Sequence, residues 1–340
     1  MSKEYYLITG GCGFIGTNFI EIALKKKINI INLDKLTYAS NYDLHKKFYK
    51  NKNYKFYKGD YSNYKILKKI FLNFNVTKIL NFAAETHVDN SIYGPIKFIK
   101  NNILNFSLFL QFSLNYFNRL NEKKKKFFKF VHVSTDEVYG SLKKKEKSFN
   151  EKSKFYPNSP YSASKAASDG IARAWNKTYG LPVIITNCSN NYGIHQNKEK
   201  LIPKTIHQAL QKKNIPVYGN GKNIRDWMHV SDHCNALLLI LEKGKSGETY
   251  NIGGGNEIEN IKIVKLICSY LDKKVPLVDG TSYFKFIKFV TDRLGHDFRY
   301  SVNFSKLKEK LDWEPKVKFS EGIQETVDWY IKNTFNIKSK

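Results

Sequence analysis

A glycine-rich turn near the start of the chain constrains the fold more than any other feature. Gly10, Gly13 and Gly16 follow the apolar run at 5–9, which is typical of a buried strand, and they open a helical pattern. Such a turn lets the backbone approach a phosphate group, which the helix N-terminus attracts electrostatically. A second predicted strand ends in Asp34. Together these features predict a dinucleotide-binding βαβ unit.

The acidic residue that ends the second strand favours NAD as the dinucleotide. The Asp34 carboxylate can accept hydrogen bonds from the adenosine ribose, and it would repel the 2′-phosphate of NADP. The third predicted strand, 54–58, leads to Asp60, whose carboxylate can reach the adenine amino group. The fourth ends before Ala83 and Ala84, small residues that let the strand end pack against the cofactor. We therefore expect an NAD site.

The alternation of strand and helix patterns predicts an α/β fold. Right-handed crossovers give a Rossmann-like, doubly wound parallel sheet, with a smaller C-terminal substrate-binding lobe. We expect residues 1–190 to form mainly the NAD-binding domain and residues 191–340 mainly the substrate lobe, with some exchange of chain between them. Within the first domain, a helix is expected at 62–74 with Ser62 as its cap.

The regular alternation loosens in the second half of the chain. The segments 200–203, 216–219 and 224–227 are predicted to be irregular and to present Lys, Tyr and Arg side chains to a ligand. Arg225 is the leading candidate for a diphosphate contact, because its planar guanidinium suits paired oxygens. A surface ion pair with Asp226 is the alternative for this arginine.

A polar motif at the end of the fifth predicted strand is the candidate for acid–base chemistry. The apolar run 128–133 leads into Ser134, Thr135, Asp136 and Glu137. In open α/β sheets, ligands bind at the carboxyl ends of the strands. Two adjacent carboxylates there are costly to bury unpaired, and one is easily driven to a proton-donating or proton-accepting state. An ordinary polar turn is the alternative.

Tyr161 and Lys165 form a second candidate pair. They are four residues apart on a predicted helix and therefore share one face. A cation there favours the phenolate and lowers the pKa of Tyr161, while the ammonium can also hydrogen-bond ribose hydroxyls. After a glycine-rich dinucleotide signature, this spacing indicates a catalytic pair rather than a chance arrangement.

The chain is strongly basic, with a formal net charge of +27 from 57 Lys and Arg against 30 Asp and Glu. Such a balance is compatible with a nucleic-acid or anionic membrane partner. The lysine clusters 123–126 and 143–145 fall in a predicted connection and a loop, however, so solvated surface charge is the preferred interpretation. Attraction of a phosphate-bearing substrate is compatible with it.

The sequence predicts a cytoplasmic protein without a membrane segment, a metal site or disulfides. The longest apolar runs, such as 236–241, are too short to cross a bilayer. No apolar signal region precedes the first strand. The 4 cysteines are scattered and form no C-x-x-C pair, which argues against zinc and against a disulfide framework.

These motifs resemble those of the extended short-chain dehydrogenase/reductases, and within them those of the dTDP-glucose 4,6-dehydratases. The resemblance covers nearly the whole chain. It rests on the segments 9–16, 34–38, 83–89, 134–140, 159–169, 187–193, 199–203, 225–227, 247–254 and 292–297. The Asp136–Glu137 pair is its specific element, since sugar-nucleotide epimerases of the same fold lack it.

The resemblance implies an internal oxidation and reduction of dTDP-glucose with loss of water. Tyr161 takes the proton of the 4-hydroxyl while the C4 hydride passes to NAD⁺, Thr135 hydrogen-bonds the 4-oxygen, and Lys165 tunes the tyrosine. Glu137 then removes the C5 proton, Asp136 protonates the leaving 6-hydroxyl, and hydride returns to C6. The implied product is dTDP-4-keto-6-deoxyglucose, and the implied NAD does not dissociate.

The resemblance also implies two groups of binding residues and a partner. The cofactor group comprises Gly10, Gly13, Phe14, Ile15, Gly16, Asp34, Lys35, Thr37, Asp60, Ala83, Ala84, Asn101, Tyr161, Lys165 and Asn191. The substrate group comprises Thr86, Thr135, Asn190, Lys200, Leu201, Pro216, Tyr218, Arg225, Asn260, Arg293 and His296. The implied partner is a second copy of the chain, joined through a helical bundle that includes the apolar helix Ile96–Tyr116.

Four positions depart from the family pattern. Asn101 and Asn105 stand where Thr and Gly are usual, the stretch 195–198 lacks a usual Pro, and Leu294 replaces another Pro. None of them belongs to the acid–base set. Two other functions remain open from the sequence: a 4,6-dehydratase of UDP-glucose or another nucleotide sugar, and an inactive scaffold that binds nucleic acid.

Overall fold

A computed structural model describes residues 3–337 of the chain, with side chains to residue 334. The strands are β1 (Glu4–Thr9), β2 (Ile30–Asp34), β3 (Tyr54–Lys58), β4 (Asn75–Asn81), β5 (Lys129–Thr135), β6 (Val183–Cys188), β7 (Asn190–Tyr192), β8 (Ile215–Tyr218), β9 (Ile224–His229), β10 (Thr249–Ile252), β11 (Glu257–Glu259) and β12 (Ile287–Val290).

Helices fill most of the connections between these strands. The α-helices are α1 (Phe14–Lys25), α2 (Tyr42–His45), α3 (Tyr64–Asn73), α4 (Val88–Tyr93), α5 (Pro95–Ile99), α6 (Phe106–Asn118), α7 (Glu122–Lys125), α8 (Pro160–Tyr179), α9 (Leu201–Leu210), α10 (Val230–Lys243), α11 (Asn260–Lys274), α12 (Ser305–Leu311) and α13 (Phe319–Ile337). A π-helical turn spans Lys100–Asn105, and 3₁₀ turns span Lys46–Phe48, Asp136–Tyr139 and Tyr283–Phe286.

The core of the molecule is a seven-stranded sheet in the order β10-β6-β5-β4-β1-β2-β3, and every neighbouring pair is parallel. Apolar side chains on both faces form two large clusters, one beneath α1 and α10 and one beneath α3, α6 and α8. The predicted Rossmann-like doubly wound fold is confirmed. The strand order reverses between β1 and β4, so a crevice opens beyond Thr9 and Asn81.

The second half of the chain adds two small sheets and returns once to the central one. The small sheets have the orders β11-β9-β7 and β12-β8, and a third apolar cluster joins them to α9, α11 and α13. Strand β10 extends the central sheet beside β6. Helix α10 packs against α1.

Three segments that were predicted to be irregular are regular, so that prediction was wrong. They form the start of α9, strand β8 and strand β9. Strand β9 is hard to recognise because Arg225 and Asp226 interrupt its apolar pattern, although both are buried. Gly254 and Asn256 donate backbone N–H groups to the Asp226 carboxylate, which satisfies the buried charge locally.

The predicted cap of the third helix was also wrong by one residue. Helix α3 begins after Asn63, whose side-chain oxygen accepts the Ile66 N–H at 3.2 Å. Ser62 instead donates both its N–H and its hydroxyl to Asp60, at 2.9 Å and 2.8 Å. The aspartate therefore closes the loop after β3.

The lysine clusters 123–126 and 143–145 lie at the surface, in a short helix and a turn. All 4 cysteines are free thiols, and all are buried. Among the described residues, no helix combines the length and the apolar character needed to cross a membrane.

Candidate active site

Two adjoining cavities lie at the carboxyl ends of the central strands. Every residue that we assigned to the cofactor lines the first cavity, as do Thr135, Asp136 and Glu137. The second cavity is lined by these members of the substrate group: Asn190, Lys200, Leu201, Pro216, Tyr218, Arg225, Asn260, Arg293 and His296. Thr86 and Thr135 line only the first, whereas Glu137, Asn190 and Lys200 line both. The two cavities thus meet at Glu137.

The glycine-rich turn forms one wall of the first cavity. Gly10 has a φ of +70°, and a Cβ atom there would lie 2.7 Å from the backbone nitrogen of Ala83. A Cβ at Gly16 would lie 2.6 Å from the Gly10 carbonyl oxygen. No side chain caps α1, because its N-cap is Gly13. The first turn of the helix therefore borders the cavity with a geometry that suits a pyrophosphate.

Asp34 ends β2 at the same cavity and is almost fully buried. Its carboxylate accepts the N–H groups of Cys12 at 2.9 Å and Leu36 at 2.7 Å, one on each oxygen. Burial raises the pKa of Asp34, and these two hydrogen bonds act against the rise. Each oxygen retains a further acceptor site, which fits a ribose hydroxyl.

Three other residues of the cofactor group form one charged cluster. The Lys35 ammonium lies 2.8 Å from the Asn101 side-chain oxygen and 3.6 Å from Asp60. Glu85, 3.8 Å from the same ammonium, also pairs with Lys97 at 3.2 Å. This cluster fixes the side of the cavity that is built by β3 and the π-helical turn.

The acid–base motif occupies a 3₁₀ turn at the end of β5, where Thr135 is the N-cap. The Thr135 hydroxyl accepts the Glu137 N–H and lies 3.3 Å from Asp136 Oδ1. Burial raises the pKa of Asp136 well above its usual value, and the charges of Glu137 and Asp226 act in the same direction. Burial also raises the pKa of Glu137, but Arg225, Lys200 and Arg293 oppose it. Both pKa values are therefore raised, and that of Asp136 is raised more strongly because no nearby lysine acts on it as Lys200 acts on Glu137.

Tyr161 lies in the first turn of α8, two residues after the cap Ser159, and lines the first cavity. The sequence predicted a low pKa for Tyr161, and the structure does not agree. Burial raises the pKa of Tyr161 well above its usual value, and the charge of Glu137 adds to the effect. The Lys165 ammonium donates to the Val133 carbonyl at 2.9 Å, and burial lowers its pKa to about 8.

Arg225 is held inside the second cavity. The alternative of a surface ion pair with Asp226 is not what the structure contains, because Arg225 is buried and donates to the carbonyls of Ile224 at 2.7 Å and Asp297 at 3.0 Å. Its guanidinium stacks on the Tyr300 ring with the central carbon 4.3 Å from the centroid. These contacts hold its positive charge at the wall of the second cavity, where it suits a phosphate-bearing ligand.

Two other basic side chains of the second cavity, Arg293 and His296, are paired with carboxylates. Arg293 Nε lies 2.6 Å from Asp89, and the guanidinium stacks over Tyr218. His296 Nδ1 lies 2.6 Å from Asp292. Lys200 is only partly buried and donates to the Thr86 carbonyl at 3.4 Å, and its pKa is lowered chiefly by desolvation.

Several buried polar atoms around the cavities have no partner within residues 3–334. They are Ser134 Oγ, Asp136 Oδ2, Asn190 Oδ1 and Asn260 Oδ1. Buried polar groups without partners are costly, so their clustering indicates a site built for a polar ligand.

Comparison with known proteins identifies the family. The sequence pattern of the family described as GDP-mannose 4,6 dehydratase matches residues 7–326. The chain belongs to this family. It is similar to a dTDP-glucose 4,6-dehydratase of Xanthomonas campestris pv. campestris, with 48% identity over 96% of this chain and 93% of the relative. A Haemophilus influenzae protein of the same name is 45% identical over 96% of this chain and 98% of its own.

Solved structures agree with this assignment. A dTDP-glucose 4,6-dehydratase from Bacillus anthracis, in complex with NAD, is 44% identical and superposes with a TM-score of 0.86 over 98% of each chain. A Streptomyces venezuelae protein of the same name, also with NAD bound, is 38% identical with a TM-score of 0.88, over 97% of this chain and 98% of that one.

The loop at 195–198, which departs from the dehydratase pattern, is nevertheless anchored. His195 has a φ of +70°, and its carbonyl accepts the Asn41 side chain at 2.9 Å. Gln196 donates to the Asn191 carbonyl at 2.8 Å, and Tyr330 donates to the Gln196 carbonyl at 2.5 Å. Contacts from distant parts of the chain thus hold the loop beside the first cavity, in place of a proline.

Several lining residues of this dehydratase were not found from the sequence. Asp89, Asp297 and Tyr300 line the second cavity, and Gln196 lines both. Asp89 and Asp297 lie inside motif segments, so their position was a usable signal. Tyr300 lies outside every motif segment, and its stacking on Arg225 depends on the packing of distant segments.

Proposed function

We propose that this protein is an NAD-dependent dTDP-glucose 4,6-dehydratase, a hydro-lyase that forms dTDP-4-keto-6-deoxyglucose and water. The observation that carries the proposal is the Asp136–Glu137 pair at the junction of the two cavities, with one carboxyl driven strongly toward its neutral form. Elimination of water needs a base and an acid on neighbouring carbons, which two differently protonated carboxyls supply. Relatives of the same name at 45% to 48% identity support it.

We assign the first cavity to NAD. Gly10, Gly16 and the first turn of α1 would hold the pyrophosphate, and Asp34 the adenosine ribose. When bound, NAD supplies reversible hydride acceptance, so a hydroxyl-bearing carbon can be oxidised and another carbon reduced in one turnover. The two structurally similar dTDP-glucose 4,6-dehydratases described above were solved with NAD bound.

Tyr161 and Thr135 are assigned to the 4-hydroxyl of the glucose. Tyr161 receives its proton as the 4-ketone forms, and Thr135 hydrogen-bonds the same oxygen. Since burial raises the pKa of Tyr161, the phenol needs a nearby cation to lose its proton, and Lys165 on the same helix face supplies one. The 4-ketone then makes the C5 proton acidic.

Glu137 and Asp136 are assigned to the elimination. Glu137 takes the C5 proton, and the electron pair of that bond forms the C5–C6 double bond as the C6–O bond breaks. Asp136 donates its proton to the departing 6-hydroxyl, which leaves as water. Asp136 is suited to this role because its raised pKa keeps it neutral. When C6 is reduced, Glu137 returns a proton to C5.

The second cavity is assigned to the nucleotide diphosphate. Arg225, Arg293 and Lys200 give it a positive lining, which suits two phosphate groups.

We propose that residues up to about 190 form mainly the cofactor half and later residues mainly the substrate half, with α10 and β10 crossing back. The cytoplasmic location remains a prediction from the sequence.

We also propose a homodimer joined through the helix that runs from α5 to α6. Large apolar side chains along and just before this helix are exposed to solvent: Tyr93, Ile96, Ile99, Leu104 and Leu108. Several large apolar side chains exposed along one helical segment are typical of an interface. A second copy of the chain would cover it with the same helix.

Mass spectrometry of the reaction product tests the proposal. The purified protein is incubated with dTDP-glucose and, in parallel, with UDP-glucose, without added NAD. We expect a product one water lighter, formed faster from dTDP-glucose. A faster reaction of UDP-glucose would assign the other nucleotide, and no change of either sugar with NAD supplied would contradict the dehydratase.

A further inference from the structure

A buried polar cluster contacts Lys165 and includes two side chains, His132 and Asp169, that are not among the lining residues of the two cavities. His132 lies on β5, and Asp169 follows Lys165 by one turn of α8. The exposed fractions are 1% for His132, 2% for Asp169 and 3% for Lys165. Burying three ionisable groups is costly unless each has a partner, so their contacts are informative.

One imidazole nitrogen lies close to both of the opposite charges. His132 Nε2 lies 3.3 Å from Lys165 Nζ and 3.4 Å from Asp169 Oδ1. The other oxygen of Asp169 accepts the Asn187 side chain at 2.9 Å. The His132 ring also stacks on Phe106, with centroids 4.2 Å apart, which fixes its plane. Asn187 and Phe106 thus hold the carboxylate and the ring in place.

The neighbouring hydrogen bonds define where the proton of His132 lies. Thr9 donates its hydroxyl to the Asn81 oxygen at 2.6 Å, so the Asn81 amide nitrogen faces His132 Nδ1, at 3.1 Å. Nδ1 is then the acceptor, and the neutral ring carries its proton on Nε2. Ser168 gives its own proton to the Lys165 carbonyl, so its oxygen, 3.0 Å from Nε2, can accept that proton.

We propose that His132 and Asp169 are positioning residues for Lys165: the carboxylate supplies its buried counter-charge, and the imidazole keeps the ammonium at the cavity instead of in a direct ion pair. Lys165 and Asp169 are four residues apart on one helix, a spacing at which a direct pair forms readily. Such a pair would draw the ammonium away from Tyr161. The inference rests on the function proposed above, in which Lys165 must stay charged beside the phenol.

The electrostatics of the site agree with this role. Burial lowers the pKa of Lys165 to about 8, and Asp169 is the first of the groups that raise it. The other titratable groups near Lys165 are His132, whose pKa is lowered to about 4, Cys188, whose pKa is raised to about 12, and Tyr161, whose pKa is raised well above its usual value. All three are uncharged near neutral pH in the protein without ligand, so Asp169 is the counter-charge of the ammonium.

Titration of Lys165 by NMR tests the proposal. The holoenzyme is labelled with ¹³C-lysine, and the Lys165 signal is assigned with the Lys165→Met variant. We expect Asp169→Asn to lower the pKa of Lys165 by about one unit. The alkaline limb of the pH profile of kcat should move with it. At pH 8 a shift of one unit reduces the charged fraction of Lys165 about fivefold. The matched control is Asp232→Asn, a buried carboxylate that binds the Lys316 and Val317 N–H groups far from Lys165.

A second variant keeps the proposal testable if Asp169→Asn does not fold. In His132→Gln the Asp169 carboxylate remains, but the side chain that keeps it apart from the Lys165 ammonium is changed. The pKa of Lys165 should therefore stay the same or rise while kcat falls. An unchanged pKa in folded Asp169→Asn, or the same shift in Asp232→Asn, would overturn the proposal. Because the titration needs no turnover, failure of the proposed dehydratase function would be seen separately.

Discussion

Asp136 and Glu137 are neighbours in the chain, yet their surroundings separate them chemically. Asp136 is 2% exposed and makes no hydrogen bond to a cationic side chain within residues 3–334, whereas Glu137 borders both cavities and faces three cationic side chains. The pKa of Asp136 is therefore raised strongly, while the three cations oppose the rise in the pKa of Glu137. This difference results from burial and from charges brought by distant segments.

The raised pKa of Asp136 has a consequence for stability. A carboxyl whose pKa is raised by folding stabilises the fold fully only below its unfolded pKa of about 3.9, and this contribution is lost as the pH rises toward its folded value. At neutral pH the unfolded chain gains by ionising Asp136. We therefore expect Asp136→Asn to raise the free energy of unfolding by about 1–3 kcal/mol at pH 7 while abolishing dehydration.

Thermal unfolding at several pH values measures this effect. The melting temperature of Asp136→Asn should exceed that of the wild type at pH 7, and the difference should shrink as the pH falls and vanish below about pH 3, where the unfolded carboxyl is also protonated. The control is Asp60→Asn, a partly exposed carboxylate for which no such gain is expected. A variant less stable than the wild type at pH 7 would show that Asp136 is charged in the fold.

The sequence predicts the identity of the acid–base residues but not their state. The motif names Asp136, Glu137 and Tyr161, because each follows a recognisable strand or cap. The pKa of Tyr161 was predicted to be low, whereas burial raises it. That error has a physical cause: spacing shows that Lys165 shares a helix face, but it does not show the desolvation of the phenol or the contacts of the ammonium with β5.

The π-helical turn Lys100–Asn105 is the element that joins the first cavity to α8. It widens one turn of an otherwise continuous helix, and π turns of this kind are frequent at functional sites. Asn102 within it exchanges two hydrogen bonds with the Glu85 backbone, at 2.9 Å and 3.0 Å, and donates to Ser164 at 2.9 Å. The adjacent Asn101 contacts Lys35.

Removal of the Asn102 side chain tests the role of this turn. Asn102→Ala would leave the buried N–H of Glu85 without a partner, and we expect a loss of about 2–3 kcal/mol in the free energy of unfolding. Urea denaturation measures it. Gln111→Ala, on the exposed side of α6, is the control and should change the value by less than about 0.5 kcal/mol. Equal changes in the free energy of unfolding for the two variants would show that the π-helical turn has no special role in stability.

Elements with a clear period were predictable, and those with mixed character were not. The strands β1 to β6 follow from apolar runs that end in glycine or polar residues, and α8 follows from Pro160 and its serine cap. Strands β8 and β9 were missed, because Pro216 and the buried Arg225–Asp226 pair break the expected pattern. The charges of Arg225 and Asp226 are satisfied by hydrogen bonds to residues that are distant in the sequence and that only the tertiary fold brings close.

At the scale of the whole molecule, the exposed apolar residues before and along the α5–α6 helix predict a dimer. Replacing Ile96 and Leu104, which are 72% and 54% exposed, by Glu should give a monomer in sedimentation velocity, since charges in a buried apolar interface are not solvated. Val278→Glu, at a site that is 99% exposed, should leave the assembly unchanged. A monomeric wild type would contradict the proposed interface.

The most direct test of the account is the site of proton exchange during turnover. The reaction with dTDP-glucose is run in heavy water, and the product is examined by NMR. If Glu137 removes and returns the C5 proton, the product carries deuterium at C5, and Glu137→Gln forms neither the labelled product nor water. A dehydrated product with no deuterium at C5 would contradict the assigned role of Glu137 and the division of labour with Asp136.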